Sequence, residues 1–193
     1  MRQQVYYTVE VRDKNGKLIS REKRRSRSFV RQWCDLHYWL AEPTDKTVTD
    51  ISNTSRTLDR DTGLIHALRM DGAAVEPDKG VVVGTGTTAV TIADYALAAK
   101  IAEGTGVGQL SHQAVTLTAP SVVGSECSWT ATRVFINGSG ATITVTEIGI
   151  YVSAQDTVPA VRYFLVVRDV LVTAQAVPDG GAITVVYTIK VTV

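Results

Sequence analysis

Four groupings in this sequence have residue types and spacing that could do chemistry. Asp61-Thr62-Gly63 is the tripeptide of aspartic proteases, enzymes in which two carboxylates share one proton inside a tight, apolar turn. Here Asp59-Arg60 precede the triplet and Leu64-Ile65 follow it, so charge stands where an apolar strand is needed, and the segment reads as a turn. Cys34 and His37 are spaced to share one face of a helix, but a zinc site needs about four ligands. The remaining candidates, His66, His112 and Cys127, are scattered along the chain, so a buried thiol beside a core or interfacial histidine is the simpler reading. Ser111-His112 has no acidic residue evidently paired with the histidine, which leaves a serine nucleophile unsupported.

The fourth grouping is Gly84-Thr85-Gly86-Thr87-Thr88-Ala89, which spells G-x-G-x-x-A after the apolar Val81-Val82-Val83. A dinucleotide-binding turn requires a helix to begin at once, with its N-terminus aimed at the pyrophosphate. Val90-Thr91-Ile92 intervenes, and a helix is expected only from Asp94, as N-cap, through Ile101. A glycine turn in a β-rich domain is the better reading. Gly104 to Gly108 lacks the lysine of a phosphate loop. None of these groupings makes an enzyme, and no metal or cofactor is expected.

Binding residues are easier to nominate. Arg21, Lys23, Arg24, Arg25 and Arg27 place five positive charges in seven residues. Contacts of all five with duplex DNA would make log affinity fall with log salt at a slope of about −4. The chain's net charge of only +1 and the lack of a nucleic-acid motif argue instead for a solvated connection or a docking strip for an acidic neighbour. Trp33, Trp39 and Trp129 are core or interface anchors.

The elements that must position these residues follow from composition and pattern. The 193 residues are 45% apolar, 20% charged and 7% aromatic, enough to bury a core without staples. No apolar run approaches the roughly 20 residues of a membrane span, no signal-peptide pattern is expected, and two cysteines are too few for a disulfide framework. Residues 1–80 hold 15 Lys/Arg and 12 Asp/Glu, whereas residues 81–193 hold 5 and 7. The turn-forming cluster Glu76 to Gly80 therefore divides the chain into an N-terminal docking segment, 1–77, and a β domain, 78–193.

In the first part, Val5, Tyr7, Val9 and Val11 alternate as a half-buried strand, Asn15-Gly16 turns a hairpin, and Lys17–Ser20 begin the return. Ser28 then caps a helix carrying Phe29, Trp33, Leu36, His37 and Leu40 on one face, which Glu42-Pro43 end. Residues 44–75 read as loop with one short strand at Gly63–Met70. In the second part, strands are expected at Val81–Val83, Val115–Thr118, Thr130–Ile136, Ala141–Val152, Val161–Val172 and Ile183–Val193, with a hairpin turn at Asn137–Gly140 and a turn at Pro178–Gly181. Ile143 and Val145 face one way and Ile148, Ile150 and Val152 the other, so a β-bulge, or a strand crossing between sheets, is expected near Glu147 and Ile148. The fold class is mainly β: an antiparallel sandwich of jelly-roll or Greek-key type with a smaller α+β N-terminal segment.

A set of motifs adds a family. They are Val81 to Thr88, Asp94-Tyr95-Ala96-Leu97 with Ile101, Gly104-Thr105-Gly106 to Leu110, Thr132 to Tyr151, Arg168-Asp169-Val170-Leu171 and Ile183 to Ile189. Over roughly residues 78–193 the chain resembles a group of virion structural proteins of tailed bacteriophages, and the hairpin with Ser26 to Val30 is similar to the same proteins. The resemblance implies a non-enzymatic particle component, assembled in the host cytoplasm, whose partners are copies of itself in a trimer or ring and other virion proteins. Arg21, Lys23, Arg24, Arg25, Arg27, Trp33 and Trp39 are then the expected docking residues. The final strand is expected as an edge that could extend a neighbour's sheet. The alternative is a receptor- or carbohydrate-binding sandwich working through Trp129 or Tyr163.

Overall fold

A computed structural model describes residues 2–26, 28–41, 44–59 and 66–193. Its fold is mainly β, with antiparallel sheets facing each other across one core. The larger sheet is built from β1 (Arg2–Arg12), β2 (Leu18–Ser26), β9 (Glu126–Ile136) and β12 (Ala182–Thr192), in the order β2-β1-β12-β9. The short strands β6 (Ser111–His112), β7 (Thr116–Leu117) and β8 (Ser121–Val123) all pair along the far side of β9. The facing sheet has the order β11-β10-β5, from β5 (Gly80–Gly84), β10 (Ile143–Gln155) and β11 (Val161–Val177). A separate hairpin, β3 (Lys46–Thr49) with β4 (Ser55–Leu58), and the helix α1 (Arg31–Ala41) complete the described elements.

Alternation explains the layers. On β1, Val5, Tyr7, Val9 and Val11 are buried while Tyr6, Thr8 and Glu10 are half-exposed. On β12, Ile183, Val185, Tyr187 and Ile189 are buried in the same way. Burying such a side chain stabilises by about 1.5–3 kcal/mol, and a one-residue slip would turn the whole set outward. Register is therefore strongly specified where the two sheets face each other. β5, β10 and the middle of β11 are buried on both faces, as their near-continuous apolar runs require. Of the two expected causes of the phase switch it is the bulge that occurs, because β10 stays in one sheet and its register with β11 shifts between Val145 and Glu147. Asn15-Gly16 turns the first hairpin with Gly16 at φ +80°, a region open to glycine without strain.

Several expectations change. The boundary at residue 77 is not a break in the sheet: β1 pairs with β12 over its whole length, and the core draws on residues from both sides of it. β12 is consequently no edge, since β1 takes one side and β9 the other. β2 runs on through Arg21–Arg25, paired residue for residue with β1 and with Glu22 turned inward onto the buried Tyr7 hydroxyl, so the basic run is strand and not connection. Asn137–Gly140 turns no hairpin; β9 and β10 lie in different sheets, and the turn carries the chain between them.

Helices are fewer than expected. α1 starts at Arg31, not after a Ser28 cap, because Ser28 and Val30 hydrogen-bond instead to Arg168 and Val166 of β11. Its buried residues are Gln32, Leu36 and Trp39, while His37 is exposed. Asp94–Ile101 forms turns and no helix, for a reason that lies in Glu147. The loop expected over 44–75 contains the β3–β4 hairpin; of the strand expected at Gly63–Met70, residues 66–70 make only a bridge from Arg69 to Ser153, and 63–65 lie outside the described residues, as do Glu42 and Pro43.

Candidate functional site

The larger sheet has more strands than the sheet it faces, and its β8–β9 end is exposed. Residues paired across antiparallel strands point to the same face, so Val5, Ile189 and Trp129 form one core-facing row across β1, β12 and β9. Gln3, Val191, Cys127 and Val122 form the next, extending it onto β8. Exposure rises outward. Val5 is buried and Trp129 half-buried, while Cys127 is exposed and Val122 is 72% exposed. The apolar face of the sheet thus overhangs the sandwich without a described element to cover its rim.

Where the overhang meets the rest of the molecule it forms a groove of about 510 Å³, lined by Trp33, His37, Met70, Leu117, Trp129 and Ile189 among others. α1 supplies the first wall: Phe29 and Trp33 have ring centroids 4.6 Å apart, Trp33 and His37 4.0 Å, and His37 Nδ1 lies 2.7 Å from the Trp33 carbonyl oxygen. The rim is polar. Asp71 takes ion pairs from Arg69 and Lys79, and the Arg69 hydrogen bond and the Lys79 ammonium hold its carboxyl well below the usual carboxylate range. Two indoles facing one groove with charged groups at its lip is an arrangement suited to binding.

The expected docking residues divide. Arg21, Lys23, Arg24 and Arg25 lie on β2, at the edge of the large sheet. Arg21 pairs with Glu10 and Arg24 with Glu22, whereas Lys23 and Arg25 ion-pair with no described carboxylate. Arg27 lies outside the described residues. Trp33 reaches the groove; Trp39 does not serve an interface, being fully buried in the core. The basic strip and the aromatic groove are therefore different surfaces.

The other candidates resolve individually. Cys34 is exposed, not a buried thiol, and no cluster of three metal-ligating side chains occurs among the described residues. Asp61-Thr62-Gly63 lies outside them. His112 is fully buried edge-on to Phe135 at 4.9 Å. Tyr163 is half-buried, donates to Glu76 at 3.1 Å and stands away from the Trp groove. The G-x-G-x-x-A loop does bind a negative charge, but its own. Glu147 accepts from Gly86 N at 3.0 Å, Ala98 N at 3.1 Å, Ala99 N at 2.7 Å and Arg168 Nε at 2.9 Å. That carboxylate wraps 84–99 into turns where a helix was expected. A Cβ on Gly86 would collide with it.

Two further buried cations organise the molecule. Arg168 also binds Asp94 and the Thr88 carbonyl. Arg133 donates five hydrogen bonds, all to carbonyl oxygens, of Ala73, Glu76, Lys79, Val81 and Gln113 at 2.7–3.1 Å. A signal existed for Arg133: it shares the inward parity of Ala131 and Phe135, where a charge must have buried partners. The chain matches no family model, no curated protein and no solved structure.

Proposed function

We propose that the chain is a non-enzymatic structural component of a tailed phage particle, self-associating through its sandwich and docking to neighbouring virion proteins. The observation that carries this reading is the overhanging apolar face. Val122 and Val123, 72% and 76% exposed on a two-sided hairpin tip, and the row behind them leave apolar surface that association would bury. The motifs similar to virion structural proteins, concentrated in residues 78–193, give the setting. Assembly in symmetric copies fits a surface of this kind better than a monomer does.

The test is the mass of the purified chain in solution by light scattering, at several concentrations and two salt levels. A defined trimer or ring is expected, and the double substitution Val122→Asp, Val123→Asp should shift it to monomer while the thermal transition stays in place. A wild-type chain that is monomeric at every concentration would overturn self-association.

A second reading, carbohydrate or receptor binding, is favoured by one observation: Trp33 and Trp129 line the same groove. Indole faces can stack on sugar rings while Asp71, Arg69 and Gln3 take hydroxyls. A glycan screen with Trp129→Ala as control decides it; binding that survives the substitution would remove the groove from consideration.

A further inference from the structure

We propose that the outer edge of β2 is a docking site for an acidic, extended segment of a neighbouring protein, which joins the large sheet as an additional strand. The inference deepens the assembly role above by naming the partner's chemistry, and it rests on that reading.

β2 is nine residues long and ends its sheet. β1 occupies one side; on the other, no described strand pairs with it, so its outward main-chain donors and acceptors are a template for strand addition. The charge on this edge is one-sided. Glu22, the strand's single acid, is turned inward, where it accepts from Tyr7 Oη, Arg24 Nε, Val172 N and Thr173 N. It therefore leaves the outer face to the cations. Arg21, Lys23 and Arg25 alternate on that face, opposite Glu10, Thr8 and Tyr6 of β1. Only Arg21 meets a carboxylate there, Glu10 at 3.3 Å. Arg25 is half-buried with its Nε lacking an acceptor.

These charges select the occupant. Two β2 edges from two copies would align like charges across the ladder, so the edge resists pairing with itself. A strand with carboxylates at alternate positions would set one beside Lys23 and another beside Arg25, as cross-strand opposite-charge pairs. At the start of the strand Leu18 and Ile19 are exposed, and Val172 of β11 is exposed near Glu22. The partner segment should therefore interleave apolar residues with its acids. A nucleic acid would satisfy the charges but not the ladder.

The test uses the full chain and four labelled probes read by fluorescence anisotropy. They are a ten-residue peptide alternating glutamate and valine, the same peptide N-methylated at every second residue, a lysine–valine counterpart and a twenty-nucleotide oligothymidine. The glutamate–valine peptide is expected to bind and to slow hydrogen exchange of β2 amides, with at least tenfold weaker binding after N-methylation. The lysine–valine peptide should not bind. Lys23→Glu with Arg25→Glu should reduce binding at least tenfold with an unchanged thermal transition. Equal binding of the N-methylated peptide, tighter binding of oligothymidine, or no binding of the glutamate–valine peptide each overturns the proposal. Light-scattering mass is read separately, so loss of edge docking and loss of self-association are distinguishable.

Discussion

Tyr7 of β1 and Tyr187 of β12 stand directly opposite one another, their rings edge-on with centroids 6.3 Å apart, and each donates its hydroxyl to a different buried carboxylate. Tyr7 Oη reaches Glu22 at 2.9 Å and Tyr187 Oη reaches Asp169 at 3.2 Å. The pair thereby ties β2 on one side and β11 on the other to the centre of the large sheet. Burial, reinforced by the carboxylates, pushes both phenols above their ordinary range, so both remain donors throughout the physiological span. Tyr7→Phe and Tyr187→Phe should each destabilise by about 1–3 kcal/mol. The double mutant should depart from additivity, because the rings touch. Urea unfolding of the four proteins of the cycle measures this; strict additivity would remove the coupling.

Arg133 makes the sharpest stability prediction. Arg133→Met strips the donors from five carbonyls, four within residues 73–81 and one at Gln113, and should cost more than about 3 kcal/mol, or prevent folding. Arg133→Lys keeps the charge but loses the planar fork, so it should also be destabilising, to a lesser degree. Comparison of urea midpoints checks both, and a midpoint for the lysine variant equal to wild type would show that charge alone suffices.

His112 links stability to acidity. Burial, helped by Arg133 and Lys100, lowers its pKa from 6.5 to about 4. Asp78 acts in the opposite direction, and the Glu103 carboxylate lies 3.8 Å from Nδ1. Between those two pH values the unfolded chain binds the proton and the folded chain does not. The contribution is therefore fully present above pH 6.5, declines as pH falls toward about 4 and is constant below, amounting to something on the order of 3 kcal/mol. His112→Leu should flatten the difference in unfolding free energy across that window. Parallel pH profiles for the two proteins would count against a buried neutral histidine.

Glu147→Gln tests the wrapped loop. A neutral amide offers one acceptor oxygen in place of two and removes the charge facing Arg168, so Gly86, Ala98 and Ala99 lose their shared anchor. Their amides should exchange with solvent about tenfold faster or more, while β1 and β12 amides are unaffected. Exchange that accelerates everywhere equally would mean that the loop does not open independently.

Deleting residues 1–26 removes β1 and β2 together. The edge of β12 would then be bare and the inward row of the large sheet half uncovered, so the remainder should be insoluble or unfolded by circular dichroism. A soluble, cooperatively melting fragment would show that residues 27–193 carry a complete core.

The long strands β1, β9, β10, β11 and β12, the register shift at Glu147 and the mainly β class were legible in the sequence because alternation has a local cause: each residue's parity decides its face without reference to distant chain. Asn15-Gly16 was legible for the same reason, as a turn whose backbone preference is local. The aromatic groove was half legible. Trp33 and Trp129 stood out as anchors, yet nothing in their positions indicated that they line one surface, or that Trp39, on the same helix as Trp33, belongs to the core.

What only the tertiary structure decided is which strands are neighbours. That β12 lies between β1 and β9, that β2 and not β12 is the edge, and that the turn after β9 crosses between sheets all follow from long-range pairing. Hydrogen bonding between strands is the same whatever the partner, and the choice is made by packing across the core. The same physics converted the Asp94 segment from an expected helix into turns, since the buried charge of Glu147, 48 and 49 residues away in sequence, takes the Ala99 and Ala98 amides that a local helix would have used.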